Sequence, residues 1–157
     1  MNLSPYDLQH FVILPTLKHL GMYSKAAEKL LLGTAALESG LNPFGEVKPG
    51  GIGIYQITTE QHRNIWDNFL AFDPDLASRV RGLASQHHFL KSPDNELRTN
   101  LAYSTGIAFM IYLQSNHPLP SADDVDGLDH FWLDNFHHQQ QHNGDLAAWM
   151  RKHGSAA

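Results

Sequence analysis

The chain of 157 residues contains no cysteine. Disulfide staples, thiolate nucleophiles and thiolate metal sites are thereby excluded, so its chemistry must rest on carboxylates, imidazoles, hydroxyls and amides. It has no apolar run near the roughly 18 residues needed to cross a bilayer, so no membrane insertion is expected. Its first residues lack a basic stretch leading into an apolar one, so no signal peptide is expected. Positive charge is scarce, with 11 Lys and Arg against 16 Asp and Glu and a formal net charge of −5. That balance argues against a nucleic-acid partner, because neutralising phosphates needs a basic face. It also argues against long-range attraction to an anionic cell wall. Hydrophobic residues make up 42% and charged residues 17%, the composition of a folded chain and not a disordered one. The length suits one domain with its own core, and no internal repeat is visible. The expectation is a single domain over residues 1–157, with Gly154-Ser155-Ala156-Ala157 a disordered tail by composition.

What is present is mainly helical patterning. Ser4-Pro5 reads as an N-cap with proline at the first helical position, opening a helix to about Val12 that Pro15 interrupts or restarts. Ser24 caps the next helix, whose Ala27, Leu30, Leu31, Thr34, Ala35 and Leu37 form a broad apolar face ending at Gly40. Residues 42–53 are too rich in Gly and Pro for a helix and predict a loop or small hairpin lining a cleft. Thr58 or Thr59 caps a helix reaching Leu70, and Asp73-Pro74 opens another that ends near Gly82. Ser92-Pro93-Asp94 starts what reads as the longest helix, with Leu97, Leu101, Ile107, Met110 and Ile111 at helical spacing, ended by Pro118 and Pro120. Further helices are expected from about Ala122 to His138, with a break at Gly127, and from Asp145 to His153.

Glu38 is the candidate catalytic residue. It lies in the last turn of an otherwise apolar helix, with a glycine-spaced turn, Gly51-Ile52-Gly53-Ile54-Tyr55-Gln56-Ile57, close behind. Apolar neighbours and the negative end of a helix dipole disfavour the charged form of a carboxyl group, which suits a general acid for a sugar bond. In the turn, an amide such as Gln56 can both donate to and accept from sugar hydroxyls, and an aromatic such as Tyr55 suits the apolar face of a pyranose. Gly51 and Gly53 would let the backbone approach closely. Ser39 reads as a helix-end hydrogen-bonding residue, and Tyr103 could point its hydroxyl into the cleft or pack in the core. A hydrolase would need a second carboxylate; Glu46 in the loop is the best placed, ahead of Glu60 and Asp67.

Glu38-Ser39, the run Gly51 to Thr58, Ile65-Trp66-Asp67-Asn68-Phe69-Leu70 and Asn100-Leu101-Ala102-Tyr103 together resemble the lysozyme-like lytic transglycosylases, in particular those encoded by phages. The similarity covers about Leu14 to Phe136. It implies a lysozyme-like domain that cleaves the β-1,4 bond between N-acetylmuramic acid and N-acetylglucosamine of peptidoglycan. Such enzymes use one acid: Glu38 would protonate the leaving oxygen, and the muramyl 6-hydroxyl would close onto C1 to give a 1,6-anhydro end. It further implies no metal or organic cofactor, and substrate contacts from Ser39, Gly53, Tyr55, Gln56 and Tyr103. The setting would be host lysis or passage of a phage genome through the wall. The protein would stay in the host cytoplasm before release, or in the virion beside other virion proteins, and act on the periplasmic wall.

The C-terminal segment departs from that pattern. Where the family has a tyrosine whose hydroxyl lies against the catalytic carboxyl, the chain reads Asp134-Asn135-Phe136-His137, so Phe136 would lack that bond and His137 is the candidate substitute. A muramidase of the same bond is the first alternative, with Glu46 across the cleft. A virion structural or glycan-binding protein without turnover is the second. The eleven histidines, clustered at His87-His88, His130, His137-His138 and His142, show no zincin-type spacing, so they read as solvated surface residues and not as metal ligands.

Overall fold

The computed structural model describes residues 2–153, apart from the side chain of Gln140. Two helices set the centre. The first, α3 (Lys25–Ser39), starts where Ser24 accepts a hydrogen bond from the Ala27 amide and ends at Gly40, whose φ of 66° makes a left-handed cap. The second, α8 (Leu101–Gln114), is buried from Tyr103 through Tyr112. They pack on each other, and one hydrophobic cluster runs through both, from Leu30, Leu31 and Ala35 to Ile107, Met110 and Ile111. The remaining helices surround this pair: α1 (Pro5–Leu8), α2 (Leu14–His19), α4 (Thr59–Asn68), α5 (Pro74–Arg81), α6 (Gln86–Lys91), α7 (Pro93–Thr99), α9 (Val125–Trp132) and α10 (Asp145–His153). The chain is mainly α, and the only β-type pairing among the described residues is an isolated bridge between Ile52 and Ile57. No described helix is long and apolar enough to cross a membrane.

Local chemistry accounts for most boundaries. Thr58 and Gln61 form a reciprocal capping box at the start of α4, and Asp73, followed by Pro74, caps α5. Elsewhere the structure corrects the sequence reading. Pro15 neither stops nor restarts the helix. A π turn (Gln9–Ile13) joins α1 to α2, and widening the backbone ahead of the proline makes room for a ring that cannot donate to the preceding turn. The helix expected to run from Ser92 to the prolines is two: Asn100 turns extended (φ −116°, ψ 96°), and its side chain accepts from the Tyr103 amide to start α8. The short α6, capped by Ser85, was missed altogether. Gly127 causes no break; it lies in the first turn of α9, where its amide donates to Asp124 and leaves no room for a β-carbon. The tail expected over 154–157 lies outside the described residues.

The loop after α3 is held from within. Ile52 and Ile57 exchange both backbone hydrogen bonds, at 3.0 and 3.1 Å, around a turn in which Gly53 (φ 77°) and Gln56 (φ 52°) are left-handed. A β-carbon on Gly53 would lie 2.0 Å from the Leu97 carbonyl oxygen, so only glycine lets this turn press against α7.

Candidate functional site

Glu38 lies in the last turn of α3 with its side chain only 2% exposed. Its Oε2 atom takes two contacts: Trp132 Nε1 donates at 2.9 Å and His137 Nδ1 lies at 2.7 Å. The two rings stack on each other with centroids 4.5 Å apart and planes 26° from parallel. Such a pair does not arise in an ordinary α-helix, where positions five apart point about 140° away from each other. Here α9 passes into a second π turn (Leu133–His137), closed by the His138 amide on the Leu133 carbonyl at 2.8 Å. The wider turn brings residues 132 and 137 to one side, over Glu38.

The proton inventory follows from the donors. An indole N–H can only donate, so Oε2 is an acceptor, and with its proton on Nδ1 the imidazole is a second donor to the same oxygen. Oε1 accepts no hydrogen bond from a described residue. A proton carried by this carboxyl for delivery therefore belongs on Oε1. His137 Nε2 is buried with no hydrogen-bond partner, and the imidazole lies nearly perpendicular to that of His142, with centroids 4.8 Å apart. Behind the acid, Tyr112 donates to Thr34 at 2.7 Å, and Thr34 donates to the Leu30 carbonyl. Burial drives the Tyr112 hydroxyl well above its ordinary pKa despite the Thr34 bond, and the Glu38 charge adds to the rise. Tyr112 is thus a neutral, fixed wall. Phe136, fully buried, stacks on it with centroids 5.3 Å apart.

The other residues singled out from sequence are placed differently. Ser39 donates to the Ile54 carbonyl at 2.6 Å and accepts from the Asn42 amide, tying the helix end to the loop. Tyr55 and Gln56, expected against a sugar, are both fully buried. Tyr55 hydrogen-bonds Thr105 at 2.9 Å. The Gln56 amide is spent on the loop: Oε1 accepts from Val47 and Lys48, and Nε2 donates to the Gly45 and Gly53 carbonyls. The hydrogen-bonding capacity that suggested a sugar ligand is thus used to shape residues 45–56. Glu46, the candidate second carboxylate, is exposed, and its Oε2 accepts from the Gly50 amide at 2.7 Å. On the same loop Phe44 and Val47 are exposed.

Tyr103 belongs to a separate network. Its hydroxyl accepts from Trp66 Nε1 at 2.8 Å and donates to His62 Nε2 at 2.7 Å, while His62 Nδ1 donates to Asp94 at 2.8 Å. Sequence reasoning missed this chain, and it missed Trp132 and Tyr112 as neighbours of the acid. The available signal for the last two was weak: polar-tipped aromatics on helices that otherwise read as core. His137, read both as one of the clustered surface histidines and as the candidate substitute for the tyrosine, has a side chain 13% exposed and lies on Glu38, because the π turn rotates it inward. Among the described residues no group of three or more His, Asp or Glu side chains is arranged to hold a metal ion. No family model matches the chain, and no curated protein or solved structure matches it.

Proposed function

We propose that the protein is a lysozyme-like peptidoglycan lytic transglycosylase, with Glu38 as its single acid and base. The observation that carries the reading is the environment of that carboxyl: one oxygen fixed by Trp132 and His137, the other without a partner among the described residues, at the end of an apolar helix. In the reaction, Glu38 gives the Oε1 proton to the glycosidic oxygen as the C1–O4 bond breaks. The muramyl 6-hydroxyl then bonds to C1, and its proton returns to Glu38, so no water is consumed. His137 takes the place that a tyrosine hydroxyl holds in the family the sequence resembles, and holds the carboxyl in one orientation through the proton transfers. Gln56 and Gly53 contribute by shaping the loop beside the acid. The natural partner would be a glycan strand of the wall, in host lysis or during genome passage by a phage particle.

A second reading, a virion structural or glycan-binding protein of the same fold without turnover, is favoured by one observation. The acid is almost wholly covered, and His137 sits on it. The two readings separate on purified sacculi. Release of soluble muropeptides by the native chain, lost in Glu38→Gln with the helical spectrum unchanged, supports the enzyme. No release by either folded protein would overturn it in favour of the binding protein.

A further inference from the structure

The network around Tyr103 opens onto a pocket that the transglycosylase reading does not use. It is a depression of about 290 Å³ between α4, α6 and α7, lined among others by Trp66, Phe89, Asp94, Arg63 and Asp67. Its floor is rigid. Trp66 is pinned by its indole N–H to Tyr103 and meets Phe89 edge to face at 5.9 Å. On the far side of Phe89 the Arg81 guanidinium lies 4.2 Å from the ring centroid, so the ring is held from behind. Asp94 is fixed at both oxygens, His62 donating to Oδ1 at 2.8 Å and Thr59 to Oδ2 at 2.8 Å. Each of those oxygens keeps a free lone pair, and the side chain is 37% exposed. Arg63 and Asp67, one turn apart and exposed on α4, complete the rim.

We infer that this pocket binds a single uncharged sugar ring, an N-acetylhexosamine of a glycan chain. Two aromatic rings held at an angle offer a surface for the apolar face of a pyranose. The oriented carboxylate accepts from ring hydroxyls, and the Arg63 guanidinium donates to hydroxyl or N-acetyl oxygens. Among the lining residues two carboxylates, Asp67 and Asp94, stand against the single guanidinium of Arg63, which disfavours phosphates and other anions in direct contact. The volume, at the small end of ligand pockets, suits one ring and not an extended apolar molecule. The His62–Tyr103 chain is the positioning element: its polar groups are satisfied internally, so it holds Trp66 and Asp94 still, and His62, although it lines the pocket, has no free polar atom to offer a ligand.

The choice of an N-acetylhexosamine rests on the glycan reading above, whereas the pocket's preference for an uncharged polyhydroxyl ring does not. The test is a titration with tri-N-acetylchitotriose, followed by ¹H–¹⁵N spectra, on the native chain and on Glu38→Gln. The inference predicts saturable shifts of the Trp66 indole signal and of the amides of Arg63, Asp67 and Phe89, equal in both proteins. Trp66→Leu should weaken binding about tenfold, the size of one lost aromatic contact. Arg63→Ala and Asp67→Ala, exposed changes that leave the floor intact, should each weaken it about threefold. Shifts confined to residues around Glu38, no saturable shift at millimolar ligand, or shifts at Trp66 with a wall stem peptide but not with the sugar would each overturn it. Shifts at Trp66 with no cleavage of sacculi would leave this inference standing and defeat the transglycosylase. Cleavage without shifts at Trp66 would do the reverse.

Discussion

Two histidine–carboxylate pairs of nearly equal length serve this molecule in opposite ways. His137 lies 2.7 Å from Glu38, and His62 lies 2.8 Å from Asp94. In the first pair the carboxyl is buried, one of its oxygens has no described protein partner, and the far imidazole nitrogen has none either. In the second pair the histidine is the buried member, its far nitrogen is taken by Tyr103, and both carboxylate oxygens are engaged. A saturated network fixes positions, since any change strands a buried donor or acceptor. An unsaturated one retains capacity to bind or move a proton. On the proposed function, the contrast puts the chemistry at Glu38 and the scaffolding at His62, although the residue types are the same.

The largest effect should fall on Glu38. Glu38→Gln keeps an acceptor for Trp132 and His137 but cannot carry the proton, so release of wall fragments should drop about a thousandfold, the range of general acid catalysis. A turbidity assay on sacculi, beside a melting curve matching the native one, checks it. Next is Tyr103→Phe, which deletes the shared hydroxyl and leaves His62 Nε2 and Trp66 Nε1 without their partner. It should cost about 2 kcal/mol of folding stability, read by denaturant unfolding. A smaller change is expected for His137→Gln: kcat falls about tenfold with KM little altered, because the side chain orients the acid and does not hold substrate. A raised KM with kcat unchanged would make His137 a binding residue instead.

The smallest effect concerns pH. Burial alone would raise the Asp94 pKa, but the hydrogen bonds from His62 and Thr59, with the charge of Arg63, outweigh it and hold the carboxyl below its ordinary 3.8. A group with a depressed native pKa contributes stability above the unfolded value and loses it as pH falls through the native one. The native chain should therefore lose stability below about pH 4 more steeply than Asp94→Asn. The difference should stay within a fraction of ~1 kcal/mol, since more than a third of the side chain faces solvent. Parallel melting curves from pH 5 to pH 3 for the two proteins check the sign.

Much of the fold was legible because its signals are local. Ser4, Ser24, Thr58 and Asp73 each announce a helix within four residues, and the apolar face of α3 marks a buried helix at once. The break at Asn100 was not legible, since helical periodicity runs through it and only the side-chain cap on Tyr103 reveals the turn. The two π turns were equally hidden, because a 3.6-residue period has no place for an inserted residue. That concealment hid the site's composition too. Glu38 could be found from its own neighbourhood and His137 was reached only through the family resemblance, whereas Trp132, 94 residues from the acid, shares a face with His137 only in a widened turn and was not legible. Tyr55 and Gln56 misled for a related reason: residue type shows what a side chain can bond, not whether the fold has already used it.

The most direct test is the chemistry of the glycan ends. Mass spectrometry of the soluble fragments from purified peptidoglycan should show 1,6-anhydro-muramyl ends with the native chain and none with Glu38→Gln. Reducing ends in their place would mean that water, not the muramyl hydroxyl, attacks, and would contradict the single-acid mechanism built on Glu38.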